Sequence, residues 1–236
     1  MIRAVLFDAA GTLIDLREPV GKTYTETAAR HGVTVSAEIV EDAFYRILAQ
    51  SSGQPPDGPT LDERRARERQ SWHRIVRSTF LAADSTLRFD DFEAFFGDLY
   101  AHYGTCKAWI LRPGAAACLD GLRTQGVRVG LLSNFDHRLP EILEGLGIAR
   151  FFSSVMLPSN TGARKPGAAA FQNATEALGI EPAKTLFVGN DPEIDRDGAR
   201  ACGLKALLVG DIEPLAEFPS RLAAAATLAE TSLPPK

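Results

Sequence analysis

Short apolar runs separated by helical stretches do most to constrain the fold of this chain. Val127 to Leu132, Phe152 to Leu157, Thr185 to Val188 and Ala206 to Val209 are each long enough for a buried strand and too short for a helix. Between them lie helical patterns. Pro113 opens one through Ala115, Leu119 and Leu122, stopped at Gly126. Leu139, Ile142, Leu143 and Leu146 form the next, closed by Gly147, and Ala170, Phe171, Ala174 and Leu178 a third, stopped at Gly179. A short helix ending at Gly203 precedes the last run, and an Ala-rich helix around Ala223 to Ala226 follows it. Such alternation implies an α/β fold, a parallel sheet with helices on both faces.

A further strand opens the chain. Ala4 to Phe7 is apolar and ends abruptly in Asp8, two small residues and a glycine. A carboxylate there stands at the carboxyl end of a strand, where open α/β sheets place their ligands. Small residues at Ala9 and Ala10 let backbone N–H groups approach an anion, and Gly11 permits a sharp turn. Asp8 is therefore a candidate nucleophile, although an aspartate that merely ends a strand reads the same way over nine residues.

Between Arg17 and Tyr103 the periodicity is helical throughout. Val40, Ala43, Phe44, Ile47 and Leu48 share one face of a helix that Ser36 is placed to cap. Thr60 with Glu63 forms a capping box for a longer helix carrying Trp72, Ile75, Val76, Thr79 and Phe80. Phe92, Phe95, Phe96, Leu99, Tyr100 and Tyr103 mark another, and the Gly/Pro-rich stretch from Ser51 to Pro59 reads as a loop. An insert of this length is too long for a connection. The expected organisation is a core of residues 1–15 and 108–236 with a helical domain of residues 16–107, placed to act as a lid.

Composition narrows the function. A net charge of −4 over 236 residues argues against a nucleic-acid or anionic-membrane footprint, while leaving room for a small anionic substrate. Cys106, Cys118 and Cys202 are odd in number and show no metal or disulfide spacing, and no apolar run reaches spanning length. A soluble, cytoplasmic protein is expected; the oligomeric state is not encoded legibly. His31, His73, His102 and His137 lack metal-ligand spacing.

The chemically useful residues fall at strand ends. Asp8 follows the first core strand, Ser133 and Asn134 another, and Asn190 and Asp191 a third, while Lys165-Pro166 precedes a helix. In a parallel sheet these ends share one edge, so the groups can converge. In this order they resemble the four motifs of the haloacid dehalogenase superfamily, with a helical cap inserted after the first. The motifs are Asp8-Ala9-Ala10-Gly11-Thr12, Ser133-Asn134, Lys165-Pro166 and Gly189-Asn190-Asp191-Pro192-Glu193-Ile194-Asp195. Arg17 to Gly21 and Ser133 to Arg138 are similar to the subgroup called haloacid dehalogenase-like hydrolase domain-containing protein 3.

The resemblance implies a Rossmann-like, doubly wound core and a hydrolase working through an aspartyl intermediate on Asp8. It implies that Ser133 or Thr12, with the amides near Ala9 and Ala10, holds the transferring oxygens, and that Lys165 neutralises charge beside Asp8. Mg²⁺ in such phosphatases is held by the nucleophilic aspartate, the carbonyl two residues later (Ala10 here) and an acid of the fourth motif. Asn134 would contact substrate, and Arg46 could bind a carboxylate or a departing halide.

The departures are informative. Family phosphatases carry a second aspartate where this chain has Ala10, so an alkyl phosphate, whose alkoxide must be protonated, is expected to react poorly. Halide, acyl phosphate and stabilised carbanion leaving groups escape that requirement. Phosphonoacetaldehyde hydrolases resemble this chain at Ala10, but the cap lysine they use has no counterpart motif around Lys22. Asn190 replaces the first metal-binding aspartate, with Asp191 one place late and Asp195 where the second acid belongs. Metal-independent L-2-haloacid dehalogenases carry Ser-Asn-x-x-Asp in this segment but a tyrosine at the place of Ala10.

Overall fold

A computed structural model of the chain describes residues 1–51 and 58–231. The chain divides into two compact units, Met1–Asp15 with Ile110–Lys236, and Leu16–Trp109. It opens with β1 (Ala4–Phe7), whose four residues are fully buried, and leaves the first unit through β2 (Ile14–Leu16). It returns through β3 (Trp109–Leu111), and β2 and β3 form a two-stranded sheet at these crossings. Three-residue strands carry no period, so the sequence gives no sign of either.

The second unit is helical: α1 (Val20–Arg30), α2 (Ala37–Gln50), α3 (Leu61–Ala83) and α4 (Phe92–Tyr103). Their apolar faces meet in a cluster that includes Tyr24, Val40, Phe44, Val76, Phe80, Phe95 and Leu99. Tyr24 sits among Phe44, Phe80 and Tyr103 with ring centroids 5.5–6.2 Å apart, distances at which edge and offset ring contacts are favourable. The capping box of α3 forms in both directions: the Glu63 amide donates to Thr60 Oγ1 at 3.2 Å and the Thr60 amide to Glu63 Oε2 at 3.0 Å. Ser36 does occupy the N-cap of α2, yet its side chain makes no capping hydrogen bond. Leu48, expected on the apolar face of α2, is exposed near that helix's end. Of the loop expected from Ser51 to Pro59, residues 52–57 lie outside the described residues.

The first unit continues with α5 (Ala115–Thr124), β4 (Arg128–Leu132), α6 (Leu139–Gly145), β5 (Ser154–Met156) and α7 (Pro158–Thr161). It closes with α8 (Ala168–Leu178), β6 (Thr185–Gly189), α9 (Gly198–Ala201), β7 (Lys205–Leu208) and α10 (Phe218–Thr231). Pro113, expected inside α5, precedes it, because Gly114 takes the cap position. The helix expected before Gly203 is a wide π-type turn, Pro192–Asp197, running into α9.

The five core strands lie in the order β5-β4-β1-β6-β7, all parallel. Helices flank both faces, because successive side chains of a strand point opposite ways. Ala4 and Leu6 pack with Phe171, Ala174 and Leu178 of α8, whereas Phe7 meets Phe218 of α10 edge to face at 6.4 Å. Burying side chains such as Phe171 and Phe187 contributes about 1.5–3 kcal/mol each. That packing holds β1 at the centre, with its carboxyl end at the middle of one sheet edge. Among the described residues, no helix is long and apolar enough to cross a membrane.

Candidate active site

Register brings the site together. Phe7 pairs with Leu131 of β4 on one side and Val188 of β6 on the other. The Asp8 amide donates to the Val188 carbonyl at 2.9 Å, so β1, β4 and β6 run out almost level, at Asp8, Ser133 and Asn190. The chain beyond Asp8 then closes on itself. The carbonyl of Ala9 accepts the amides of Thr12 (3.2 Å), Leu13 (2.8 Å) and Ile14 (3.1 Å), and Gly11, at φ 78°, donates to the Ile14 carbonyl. Only glycine takes that backbone conformation without strain.

Lys165 reaches this turn from the loop before α8. Its Nζ donates to Asp8 Oδ1 at 2.8 Å and to Asp195 Oδ1 at 2.6 Å, and it stands 5.1 Å from the ring centroid of Phe187. All three charged side chains are buried, Asp8 being the most accessible at 8%. The other oxygen of Asp195 accepts the backbone amides of Asn190 and Asp191, each at 3.0 Å. Burial, opposed by the Lys165 ammonium and reinforced by the Asp8 carboxylate, holds the Asp195 carboxyl above the ordinary carboxylate value. Asp195, expected as a metal ligand, thus has both oxygens engaged in supporting Lys165 and the turn after β6.

Asn134 is engaged in a similar way. Its amide donates to the Lys165 carbonyl and accepts the Lys165 amide, both at 2.9 Å, so this side chain fixes the backbone that carries the lysine. Expected as a substrate contact, it is a bracket in this structure. Thr12 is fully buried, and its hydroxyl donates to Asn190 Oδ1 at 3.3 Å, tying the turn after β1 to the end of β6. Ser133 is buried at the end of β4, with its Oγ accepting the Phe135 amide at 3.3 Å. Asp191 caps the π-type turn, accepting the amides of Glu193 and Ile194 through Oδ1. Ala10 is partly exposed, two residues past Asp8. Arg46 is exposed on α2 of the helical unit.

The sequence reading missed three contributors. Phe187 lies under the lysine, and its position in a strand of buried residues gave no sign of that. Arg112 donates to the carbonyl of Gly11. Asp136 holds Arg138 through paired contacts, Arg138 Nε at 2.8 Å and Nη2 at 2.6 Å, in the loop just past Ser133 and Asn134. Burial would raise the Asp136 carboxyl, but the hydrogen bonds and charge of Arg138 hold it below the ordinary value. Among the described residues, no group of three or more His, Cys, Asp or Glu side chains could hold a metal ion.

A parallel sheet whose strand ends gather a carboxylate, a buried ammonium, a hydroxyl and a closed backbone turn at one edge is an enzyme's arrangement, and its order of motifs is that of a hydrolase. The chain belongs to the haloacid dehalogenase-like hydrolase family, whose model matches residues 2–203. It is 36% identical to mouse haloacid dehalogenase-like hydrolase domain-containing protein 3 over 218 residues, which is 91% of this chain and 84% of the mouse protein. Its fold is shared with an L-2-haloacid dehalogenase from Xanthobacter autotrophicus (TM-score 0.66, 24% identity, 98% of this chain and 86% of that one). It is also shared with a HAD phosphatase from Thermococcus onnurineus (TM-score 0.56, 23% identity, 87% of this chain and 85% of that one).

Proposed function

We propose that this chain hydrolyses a small, anionic, phosphorylated molecule through a covalent intermediate on Asp8. The observation that carries the reading is the buried bridge from Lys165 to Asp8 Oδ1 at 2.8 Å. It fixes the carboxylate at a sheet edge beside a closed backbone turn and places a cation where phosphoryl oxygens would gather charge. Asp8 Oδ2 attacks phosphorus, the bond to the leaving oxygen breaks with its electron pair, and water then cleaves the aspartyl phosphate to release phosphate. Thr12 and Asn190 hold the shape of the turn, and Ser133 stands at the neighbouring strand end.

The residues around the turn fit a weakly held Mg²⁺. The donors are the Asp8 carboxylate, the Ala10 carbonyl and the Asn190 amide oxygen, which the Thr12 contact places beside this turn. Magnesium accepts one or two carboxylates with waters and substrate phosphate completing its shell. When bound, the ion supplies charge neutralisation at the phosphoryl oxygens. With Asp195 engaged by Lys165, one carboxylate remains where a tighter site has two.

Ala10 sets the expected rate. General acid–base assistance is worth about 10²–10⁴ in rate, so alkyl phosphates are poor substrates and activated or acyl phosphates better ones. In this reading the helical unit serves as a cap that carries substrate recognition, with Arg46 offering an exposed guanidinium. No nucleic-acid or membrane partner is proposed.

The absence of an acid at Ala10 and the amide at Asn190 favour a second reading, metal-independent displacement of halide from a 2-haloacid. One assay set separates the two: phosphate release from p-nitrophenyl phosphate with Mg²⁺ and with chelator, beside halide release from 2-chloropropionate, for wild type and Asp8→Asn. Phosphate release lost in the variant and reduced by chelator supports the first reading. Halide release unaffected by chelator replaces it with the second. If neither product forms while phosphate or vanadate still binds, the chain is a binding protein and both readings fail.

A further inference from the structure

We propose that Arg112 is a positioning residue for the Asp8 turn, holding it from outside the motifs that carry the chemistry. This rests on the reading of Asp8 as the nucleophile. Arg112 stands just past β3, two residues after the chain re-enters the core unit at Ile110. Its Nη1 donates to the Gly11 carbonyl at 2.5 Å and its own amide to the Leu13 carbonyl at 2.9 Å. Two carbonyls of the turn, those of Gly11 and Leu13, are thereby fixed by one residue.

The guanidinium is itself anchored on both sides. Nη2 donates to Glu213 Oε1 at 2.6 Å, and Nε lies 3.7 Å from Asp15 Oδ2, where the chain leaves the core unit. The Arg112 side chain is 23% exposed against 47% for Glu213, so the contact to the turn is the sheltered one. The fork of a guanidinium can serve the Gly11 carbonyl, Glu213 and Asp15 at once; an ammonium offers charge without that fixed geometry.

The consequence concerns geometry at Asp8. The Thr12, Leu13 and Ile14 amides all converge on the Ala9 carbonyl, so a shift at Gly11 or Leu13 moves the whole turn and the backbone beside the nucleophile. Displacements of about 1 Å can cost about 10²-fold in rate when reacting groups must align. Arg112 touches no reacting atom in this account. It acts through the turn.

The test compares wild type, Arg112→Lys and Glu213→Gln by steady-state kinetics on p-nitrophenyl phosphate and by amide hydrogen exchange across residues 9–14. The proposal expects Arg112→Lys, which keeps the charge, to lower kcat by about 10- to 100-fold with KM changed less than about threefold. It expects faster exchange at Thr12, Leu13 and Ile14, and a smaller effect of the same kind in Glu213→Gln. Unchanged exchange in Arg112→Lys overturns it. So does faster exchange with kcat within about twofold of wild type, since the turn would then move without consequence. If wild type releases no phosphate, the function reading has failed by itself, and vanadate affinity replaces kcat. Weaker vanadate binding with faster exchange then supports the positioning role, and unchanged binding overturns it.

Discussion

A Cβ atom at Gly189 would lie 2.2 Å from Oδ2 of Asp195. The carboxylate that holds Lys165 therefore occupies the space a side chain at the end of β6 would need. The same oxygen accepts the amides of Asn190 and Asp191, so it cannot move aside without opening the turn. Position 189 is glycine for the sake of a residue six places further on.

Gly189→Ala should consequently act as a site mutation although it adds one methyl group. Overpacking of this kind costs about 1–3 kcal/mol, and here it also pushes Asp195 away from Lys165. We expect a lower melting temperature together with a loss of turnover larger than the stability change explains. Thermal melts and kinetics below the melting transition check this; a variant with wild-type kcat would show that Asp195 can shift without disturbing Lys165.

Lys165→Met removes the cation that bridges the buried carboxylates of Asp8 and Asp195. Breaking a buried ion pair from one side costs about 3–5 kcal/mol, and turnover should be lost. The pH dependence gives the signature. Two carboxylates left facing each other are relieved by taking up a proton, so the stability deficit of the variant should shrink as pH falls from 7 towards 5. Adding Asp195→Asn to Lys165→Met should recover part of the stability at pH 7 without recovering activity. Denaturant titrations of the single and double variants at both pH values measure this coupling directly.

Asp136, whose carboxyl is shifted the opposite way from that of Asp195, makes a prediction in a more acidic window. Its carboxyl titrates below its ordinary value of 3.8 because Arg138 outweighs the effect of burial. The stability it contributes is complete above pH 3.8 and is lost as pH falls through the lower folded-state value. Asp136→Asn should cost about 1.5–3 kcal/mol at pH 7, the range for hydrogen bonds to charged groups, the same at pH 5, and less only once pH falls below 3.8. Urea titrations at pH 7, 5 and 3 would show the two stability curves converging in acid; parallel curves would rule out this pair as a source of acid sensitivity.

The division between what the sequence carried and what it did not follows the range of the interactions. Strands such as Thr185–Gly189 and helix stops such as Gly179 are local, set by apolar runs and by backbone freedom, and they are legible one segment at a time. Parallel order then brings Asp8, Ser133 and Asn190 to one edge, because the carboxyl ends of neighbouring parallel strands coincide. The pairing of particular oxygens is not local. Whether Asp195 faces a metal ion or a lysine depends on Lys165, 30 residues earlier, and the bracket from Asn134 depends on a backbone 31 residues later. Arg112 acts on Gly11 across 101 residues, with no motif to mark it. Ser36 shows the local limit as well: its residue type and place suit a cap, but its side chain makes no capping bond.

Ala10→Asp tests the account of rate. Ala10 is partly exposed and two residues past Asp8, so a carboxyl group there need not be buried unpaired. A group at this position could protonate an alkoxide leaving group and later take a proton from the attacking water, help worth about 10²–10⁴ in rate. The gain should be selective. Alkyl phosphates should speed up by up to that factor, roughly 3–5 kcal/mol off the barrier. p-Nitrophenyl phosphate, whose leaving group departs without a proton, should gain much less in the first step. A new limb in the pH–rate profile should appear with the alkyl substrates and be absent from wild type. Equal acceleration of both substrate classes would point instead to a repositioned turn, and no acceleration of either would mean that Asp8 is not limited by the missing acid.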